Sequence, residues 1–193
     1  MIFAEPEHNI EQLGLSENEI VADFGAGSGA YTLAAARALH GTGRVYAIEV
    51  QKGLLLRIEN AAKEAGLSNV AVIWGDLEHI GGTKLRDSSV GCVIISNVLF
   101  QADEKEVIIR ESQRILRTGG RLLVIDWTGS FGSLGPQATQ VFSEHLAREL
   151  IEGVGYTFDR PISAGSYHYG LVFRKGGVRP ENLSGSRQST PQS

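Results

Sequence analysis

The sequence predicts an α/β fold: a doubly wound, Rossmann-like sheet of seven strands, mostly parallel with an antiparallel last strand, and helices on both faces. Three observations carry this. Short apolar runs without strict alternation recur from about residue 20 to 175, as strands buried on both faces do. Helix-period stretches stand between them, as parallel strands require. A glycine-rich turn directly follows the first run, where such folds take their ligands.

The strand candidates are Ile20 to Phe24, Val45 to Ile48, Val70 to Trp74, Cys92 to Ile95 and Leu122 to Ile125. The helix from Ala30 to Leu39 is alanine-rich and suits close packing on a sheet. Residues 53 to 65 place Leu54, Ile58, Ala61 and Ala65 on one face, and Gly66 follows as a stop. Residues 104 to 117 turn Val107, Ile108, Ile115 and Leu116 inward, with the turn Thr118-Gly119-Gly120 after them. The expected order is βαβαβαβαβ. Residues 128 to 136, TGSFGSLGP, read as an irregular loop. A helix from Ser143 to Gly153 follows, with Phe142, Leu146, Leu150 and Ile151 at helical spacing. Tyr156 to Ile162 and Tyr167 to Arg174 then form an antiparallel pair across Ser163 to Ser166.

Length predicts one domain, residues 1–175, since 193 residues suffice for a single α/β core. Residues 176–193, GGVRPENLSGSRQSTPQS, have almost no large apolar side chains and read as a disordered tail. The 24 glycines exceed the typical ~7% of residues, so many backbone positions turn tightly or approach closely. A single cysteine, Cys92, excludes an internal disulfide framework and a thiolate zinc cluster, and no other metal site is indicated. It lies inside a strand and reads as packing. A net charge of -4 argues against nucleic acid as partner. With neither a basic leader nor 18 successive apolar residues, the expectation is a cytoplasmic protein without a membrane span.

The most informative segment is Val21-Ala22-Asp23-Phe24-Gly25-Ala26-Gly27-Ser28-Gly29. Its glycines let a ligand approach bare backbone, and the helix amino terminus beyond favours a negative group. Glu49 ends the second strand 20 residues after Gly29, where a doubly wound fold places a carboxylate for two ribose hydroxyls. Asp76 ends the third. One crevice at the carboxyl ends of adjacent strands gathers all three features, and a nucleotide-like ligand is implied. Spacing alone leaves that ligand open: Gly25-x-Gly27-x-Gly29 followed by Ala30 can be counted as a dinucleotide fingerprint.

At this point the chain resembles the class I S-adenosylmethionine-dependent methyltransferases. VADFGAGSGAYT resembles their first motif, VYAIEV the second, WGDLEHI the adenine-edge motif and IISNVLFQ the segment after strand four. SQRILRTGGRLLVIDW and GSYHYGLVFRK are similar to the ubiquinone and menaquinone biosynthesis subgroup. The resemblance spans residues 9 to 175. It implies S-adenosyl-L-methionine as cofactor and S-adenosyl-L-homocysteine as product. By the family pattern Gly25, Ala26, Gly27 and Gly29 run along the methionine moiety, and Asp23 orients its amino group. Glu49 takes the ribose diol, Val50 packs on the adenine face, Asp76 with Leu77 meets the adenine edge, and Asn97 stands beside the sulfonium methyl. Tyr31 neighbours the methionine carboxylate. Gly91 departs from the pattern, since most relatives carry an acid there. Residues 96 to 100, Ser-Asn-Val-Leu-Phe, lack the Asn-Pro-Pro-aromatic pattern of enzymes acting on amide or adenine nitrogen, and one cysteine cannot serve arsenite methylation.

The chemistry implied is in-line displacement at the methyl carbon, for which alignment supplies much of the acceleration. If the acceptor needs a base, Asp126, His145 and His168 are the candidates. A small-molecule acceptor is favoured, with Phe100, Trp127, Phe131 and Tyr167 as an aromatic pocket under the 128–136 loop. RNA or protein methylation is the alternative, followed by a non-catalytic cofactor-binding module or a nicotinamide-dependent enzyme.

Overall fold

The computed structural model describes residues 5–132 and 134–176. Of the expected tail at 176–193, residues 177–193 lie outside the described residues. Seven strands form one sheet: β1 (Ile20–Phe24), β2 (Arg44–Glu49), β3 (Val70–Trp74), β4 (Val90–Ser96), β5 (Leu116–Trp127), β6 (Tyr156–Ser163) and β7 (His168–Lys175). Their order is β3-β2-β1-β4-β5-β7-β6. The first five are parallel, and β7 runs antiparallel to both β5 and β6. The chain winds outward from β1 to β3, then returns to the other side of β1 with β4. The carboxyl ends of β1 and β4 therefore part at a switch point, the crevice in which such sheets hold ligands.

Alternate residues of each inner strand feed two apolar layers. Phe24, Ile48, Val93, Ile95, Leu122, Val124 and Phe173 pack on one face with α4 (Lys105–Ile115) and α5 (Glu144–Gly153). Val21, Val45, Cys92, Ile94, Leu123 and Val172 pack on the other with α1 (Pro6–Leu13) and α2 (Ala30–Ala38). Burial on both sides is why these strands show no polar alternation. The alanines of α2 bring its axis close to the sheet, with Ala35 and Ala36 fully buried.

Several expectations are corrected. No helix joins β3 to β4; residues 75–89 cross over as a chain of turns. Their Gly75, Gly81 and Gly82 and the lack of a helical apolar period explain this. On α3 (Lys52–Glu64) the buried face is Leu55, Ile58 and Ala62, leaving Leu54 half-buried and Ala65 exposed. On α5 Ala147 and Ile151 are buried, while Leu146 is 48% exposed. β5 begins at Leu116, and the Gly119-Gly120 turn becomes a bulge opposite Val90 and Cys92. Helix α1 was not anticipated, although Pro6 in its first turn, Ile10 and Leu13 three apart, and Gly14 at φ +66° are start and stop signals.

Glu19, just before β1, is 6% exposed and joins three parts of the fold. Its Oε2 accepts from Arg121 Nη2 at 2.6 Å and from the Ser16 amide at 2.9 Å. Arg121 also donates to the Leu13 and Gly14 carbonyls that end α1. A Cβ at Gly91 would stand 2.7 Å from Glu19 Oε1, so the glycine that departs from the family pattern leaves room for this carboxylate. Arg121→Met leaves Glu19 buried without its main counter-charge and is expected to cost about 3–5 kcal/mol. Adding Glu19→Gln should recover part of that loss. Urea unfolding of the single and double variants measures both, and an Arg121→Met cost within that of an ordinary surface substitution would refute the assignment.

Candidate active site

The 25–29 turn is built from backbone contacts that side chains would prevent. Gly25, Gly27 and Gly29 all take positive φ, at +66°, +53° and +85°. A Cβ on Gly25 would lie 2.7 Å from Val98 Cγ2, and one on Gly29 would lie 2.8 Å from Ile58 Cγ1. The amides of Gly25 and Ala26 both donate to the Ile48 carbonyl, and the Gly27 amide donates to Glu49 Oε2 at 3.0 Å. Gly29 caps α2 without a side chain, and of the first-turn amides that of Thr32 donates to Asp23 behind the turn.

This turn forms one wall of a cavity of about 680 Å³, within the range of roughly 300–1,000 Å³ of small-molecule sites. The other walls are the ends of β2 (Ile48 to Gln51), β3 (Gly75 to Glu78) and β4 (Ser96 to Val98), with Pro6 of α1 at the rim. Gly25, Ala26, Gly27, Tyr31, Glu49, Val50, Asp76, Leu77 and Asn97 therefore come together as the sequence suggests. Glu49 is 6% exposed; its Oε1 accepts from the Gln51 amide at 2.9 Å. Val50 is 52% exposed, and its carbonyl accepts from the Trp74 indole. Asp76 Oδ1 accepts from the Glu78 amide, and its Oδ2 lies 3.1 Å from His79 Nδ1. Asn97 sits at φ +56°, and its Oδ1 is buried with no hydrogen-bond partner among the described residues. Tyr31 Oη accepts from Asn9 Nδ2 at 2.7 Å, and burial pushes the phenol up from its ordinary pKa, so it stays neutral.

Asp23 stands behind the turn and does not line the cavity. It is 2% exposed, and its Oδ2 accepts from Thr32 Oγ1 at 2.6 Å. Burial raises its pKa to about 6, against the opposing effect of Thr32. Gly29 likewise contributes from beneath, through its contact with Ile58.

The three base candidates are not brought to the cavity. Asp126 is fully buried and occupied: Oδ2 accepts from the Phe100 amide at 3.0 Å and Oδ1 from the Trp127 amide at 2.8 Å. Burial raises it to about 6. His168 packs against Trp127, ring centroids 4.3 Å apart, and burial lowers its pKa. His145 lies on the outer face of α5, its side chain 86% exposed beside Glu149. Nor do the four aromatics form one pocket with this cavity. Phe131 and Tyr167 stack edge to face at 4.7 Å, while Gly135 packs on Trp127, and none of the four lines the cavity.

Sequence reasoning missed Pro6, Gln51, Glu78 and Gln101 in the lining and Asn9 behind Tyr31. The signals of α1 locate two of them. Buried Glu111 on α4 carried no signal, because a helical glutamate ordinarily faces water.

A family model described as a methyltransferase domain matches residues 22–124, more than half of the chain. The ubiquinone/menaquinone biosynthesis C-methyltransferase UbiE of Klebsiella pneumoniae is 26% identical over 161 residues, covering 83% of this chain and 61% of that protein. That of Hahella chejuensis is 27% identical over 135 residues, covering 69% and 53%. The chain thus spans less than two thirds of the length of these curated relatives. Among solved structures, a SAM dependent methyltransferase from Aquifex aeolicus superposes with a TM-score of 0.80 at 26% identity, covering 89% of this chain and 90% of that one. The [4+2]-cyclase SpnF shares the fold, with a TM-score of 0.75 at 17% identity over 89% and 79%. The family match runs through the glycine turn, both carboxylate-bearing strand ends and the parallel strands that frame the cavity, and the chain belongs to the class I S-adenosylmethionine-dependent methyltransferase family.

Proposed function

We propose that this chain transfers a methyl group from S-adenosylmethionine to a small-molecule acceptor by in-line displacement. The observation that carries the reading is the joint placement of the glycine turn, Glu49 and Asp76 around one cavity at the switch point. The residues fit the cofactor: the turn offers backbone where a Cβ would not fit, and Asn97 presents an unpartnered buried oxygen. Glu49, with each oxygen already holding one amide, keeps lone pairs for the ribose hydroxyls. Val50 offers an exposed apolar face to the adenine, and Asp76 with Leu77 meets its edge. Gly25, Ala26 and Gly27 carry the methionine, with Tyr31 near its carboxylate and Gly29 and Asp23 acting from behind the turn. The charged lining residues, Glu49, Asp76 and Glu78, are all acidic and suit a cationic ligand.

Bound cofactor supplies an electrophilic methyl on a sulfonium. The chain's task is then alignment and exclusion of water, and effects of this kind reach about 7–11 kcal/mol in well-oriented systems. No ionisable base is required at the reacting atoms when the acceptor is already nucleophilic. The name of the UbiE relatives supports a small organic acceptor methylated at carbon.

Calorimetric titration with S-adenosylmethionine, S-adenosylhomocysteine and NAD tests the cofactor: the first two should bind and NAD should not, and the reverse would overturn the reading. Glu49→Ala should weaken S-adenosylhomocysteine at least about tenfold, the value of a charge-assisted hydrogen bond or more. Labelled-methyl transfer to cell extract separated into small molecules, RNA and protein should label the small-molecule fraction.

Asp23 supplies a pH test. Its folded pKa of about 6 stands above its ordinary 3.8, so the native state binds this proton more tightly than the unfolded chain. Ionisation therefore removes stability as pH rises from about 4 through about 6, and the loss is complete above that. Between pH 4 and pH 7 the stability of Asp23→Asn relative to wild type should rise by about 1–3 kcal/mol, measured by urea unfolding at each pH. A difference that does not change with pH would show that Asp23 is not held under this strain.

A further inference from the structure

The crossover from β3 to β4 is made of turns, and a buried carboxylate ties the Gly81–Thr83 turn to α4. Glu111 of α4 is fully buried. Its Oε2 accepts from the Gly81 amide at 2.8 Å, and its Oε1 accepts from the Thr83 amide at 3.2 Å and the Thr83 hydroxyl at 2.5 Å. Arg114, one turn later, donates to both oxygens at 2.8 Å and reaches Asp87 at 2.5 Å. Burial alone would raise this carboxyl, but its hydrogen bonds from Arg114, Thr83 and Gly81 outweigh burial and hold it below the usual carboxylate range.

The held turn presses directly on the cavity wall. Gly82, between the two anchored amides, lies so close that a Cβ there would overlap the Asp76 carbonyl oxygen. A Cβ at Gly75 would stand 2.6 Å from the Gly82 carbonyl and 2.8 Å from Ile48 Cγ2. Residues 75 and 76 are thus wedged between β2 and the Gly81–Thr83 turn. On the far side Glu78 Oε1 accepts from the Asp103 and Glu104 amides at the start of α4. The wall Gly75 to Glu78 is packed at one end against the turn that Glu111 holds and tied at the other, through Glu78, to the residues that lead into α4.

We infer that Glu111 is a positioning residue that sets the base specificity of the cofactor site, by fixing Asp76 and Leu77 against the adenine edge. This rests on the reading that Asp76 and Leu77 meet that edge. A carboxylate at position 76 accepts from the exocyclic amine of adenine and faces the carbonyl oxygen of hypoxanthine unfavourably. A site built to hydrogen-bond an N–H rejects the analogue lacking it only when the partner is held in place.

The test compares S-adenosylhomocysteine with S-inosylhomocysteine, which differ at that amine, by calorimetry on the full chain. Wild type should prefer the adenine compound at least about tenfold. In Glu111→Gln an isosteric amide places an N–H against a loop or arginine N–H, and the preference should fall to about threefold or less. Thr83→Val, which keeps the carboxylate and removes one hydroxyl, is the milder variant that reports if Glu111→Gln does not fold, and it should lose part of the preference. A Glu111→Gln protein that binds both compounds more weakly but keeps their ratio would overturn the inference, because general destabilisation scales both affinities alike. If wild type binds S-adenosylhomocysteine but does not discriminate, the adenine-edge assignment and the inference fail together while methyl-donor binding stands. If wild type binds neither, the proposed function itself fails.

Discussion

Everything at the cavity depends on how the glycine turn is held to the end of β2. Two amides share the Ile48 carbonyl and a third takes Glu49 Oε2, so the turn and the Ile48–Glu49 strand end are one hydrogen-bonded unit. The unit closes only because Gly25 admits Val98 and Gly29 admits Ile58. A side chain at either glycine would separate the turn from β4 or from α3, and the cavity would lose a wall. Positive φ at all three glycines adds a second reason, since β-carbons are strained there.

Apart from Glu49 at the cavity, the four buried carboxylates among the described residues divide by how their charge is compensated. Glu19 and Glu111 each meet an arginine and backbone amides, and they join elements distant in sequence. Asp23 and Asp126 have hydrogen bonds but no close arginine, and burial pushes both to about 6. The two groups therefore do different things. The first pair ties α1 to β5 and the 75–89 crossover to α4; the second lies beneath the cavity's turns, Asp23 behind the glycine loop and Asp126 under the Leu99–Gln101 turn. Asp126, read from sequence as a base, is consumed in holding backbone.

The shared fold of a methyltransferase from Aquifex aeolicus and a [4+2]-cyclase shows why the site, and not the sheet, has to carry the functional argument. Here the cavity's lining combines a turn of bare backbone, two carboxylates at strand ends and a buried amide oxygen without a partner among the described residues. A cofactor with ribose, base and amino-acid parts is the ligand we propose for those groups. The same cavity also presents Ser96 and Gln101 as neutral polar groups.

The sheet and the glycine-turn wall of the cavity are legible in the sequence because both are local. Unbroken apolar runs mark strands covered on both faces, and the glycine turn, Glu49 and Asp76 each sit at a strand end that the pattern locates within a residue or two. Tertiary structure decided whatever depends on which face or which partner a side chain meets. The face of α3 moved by one residue to Leu55 and Ala62, since Leu54 turns toward the cavity rather than the core. Asp126 and His168 stand on β5 and β7, one and two strands beyond β4, and His145 on the outside of α5, so none of the three opens on the crevice. Glu111 was invisible in one dimension: its function lies in amides 28 and 30 residues away, which only the fold brings to it.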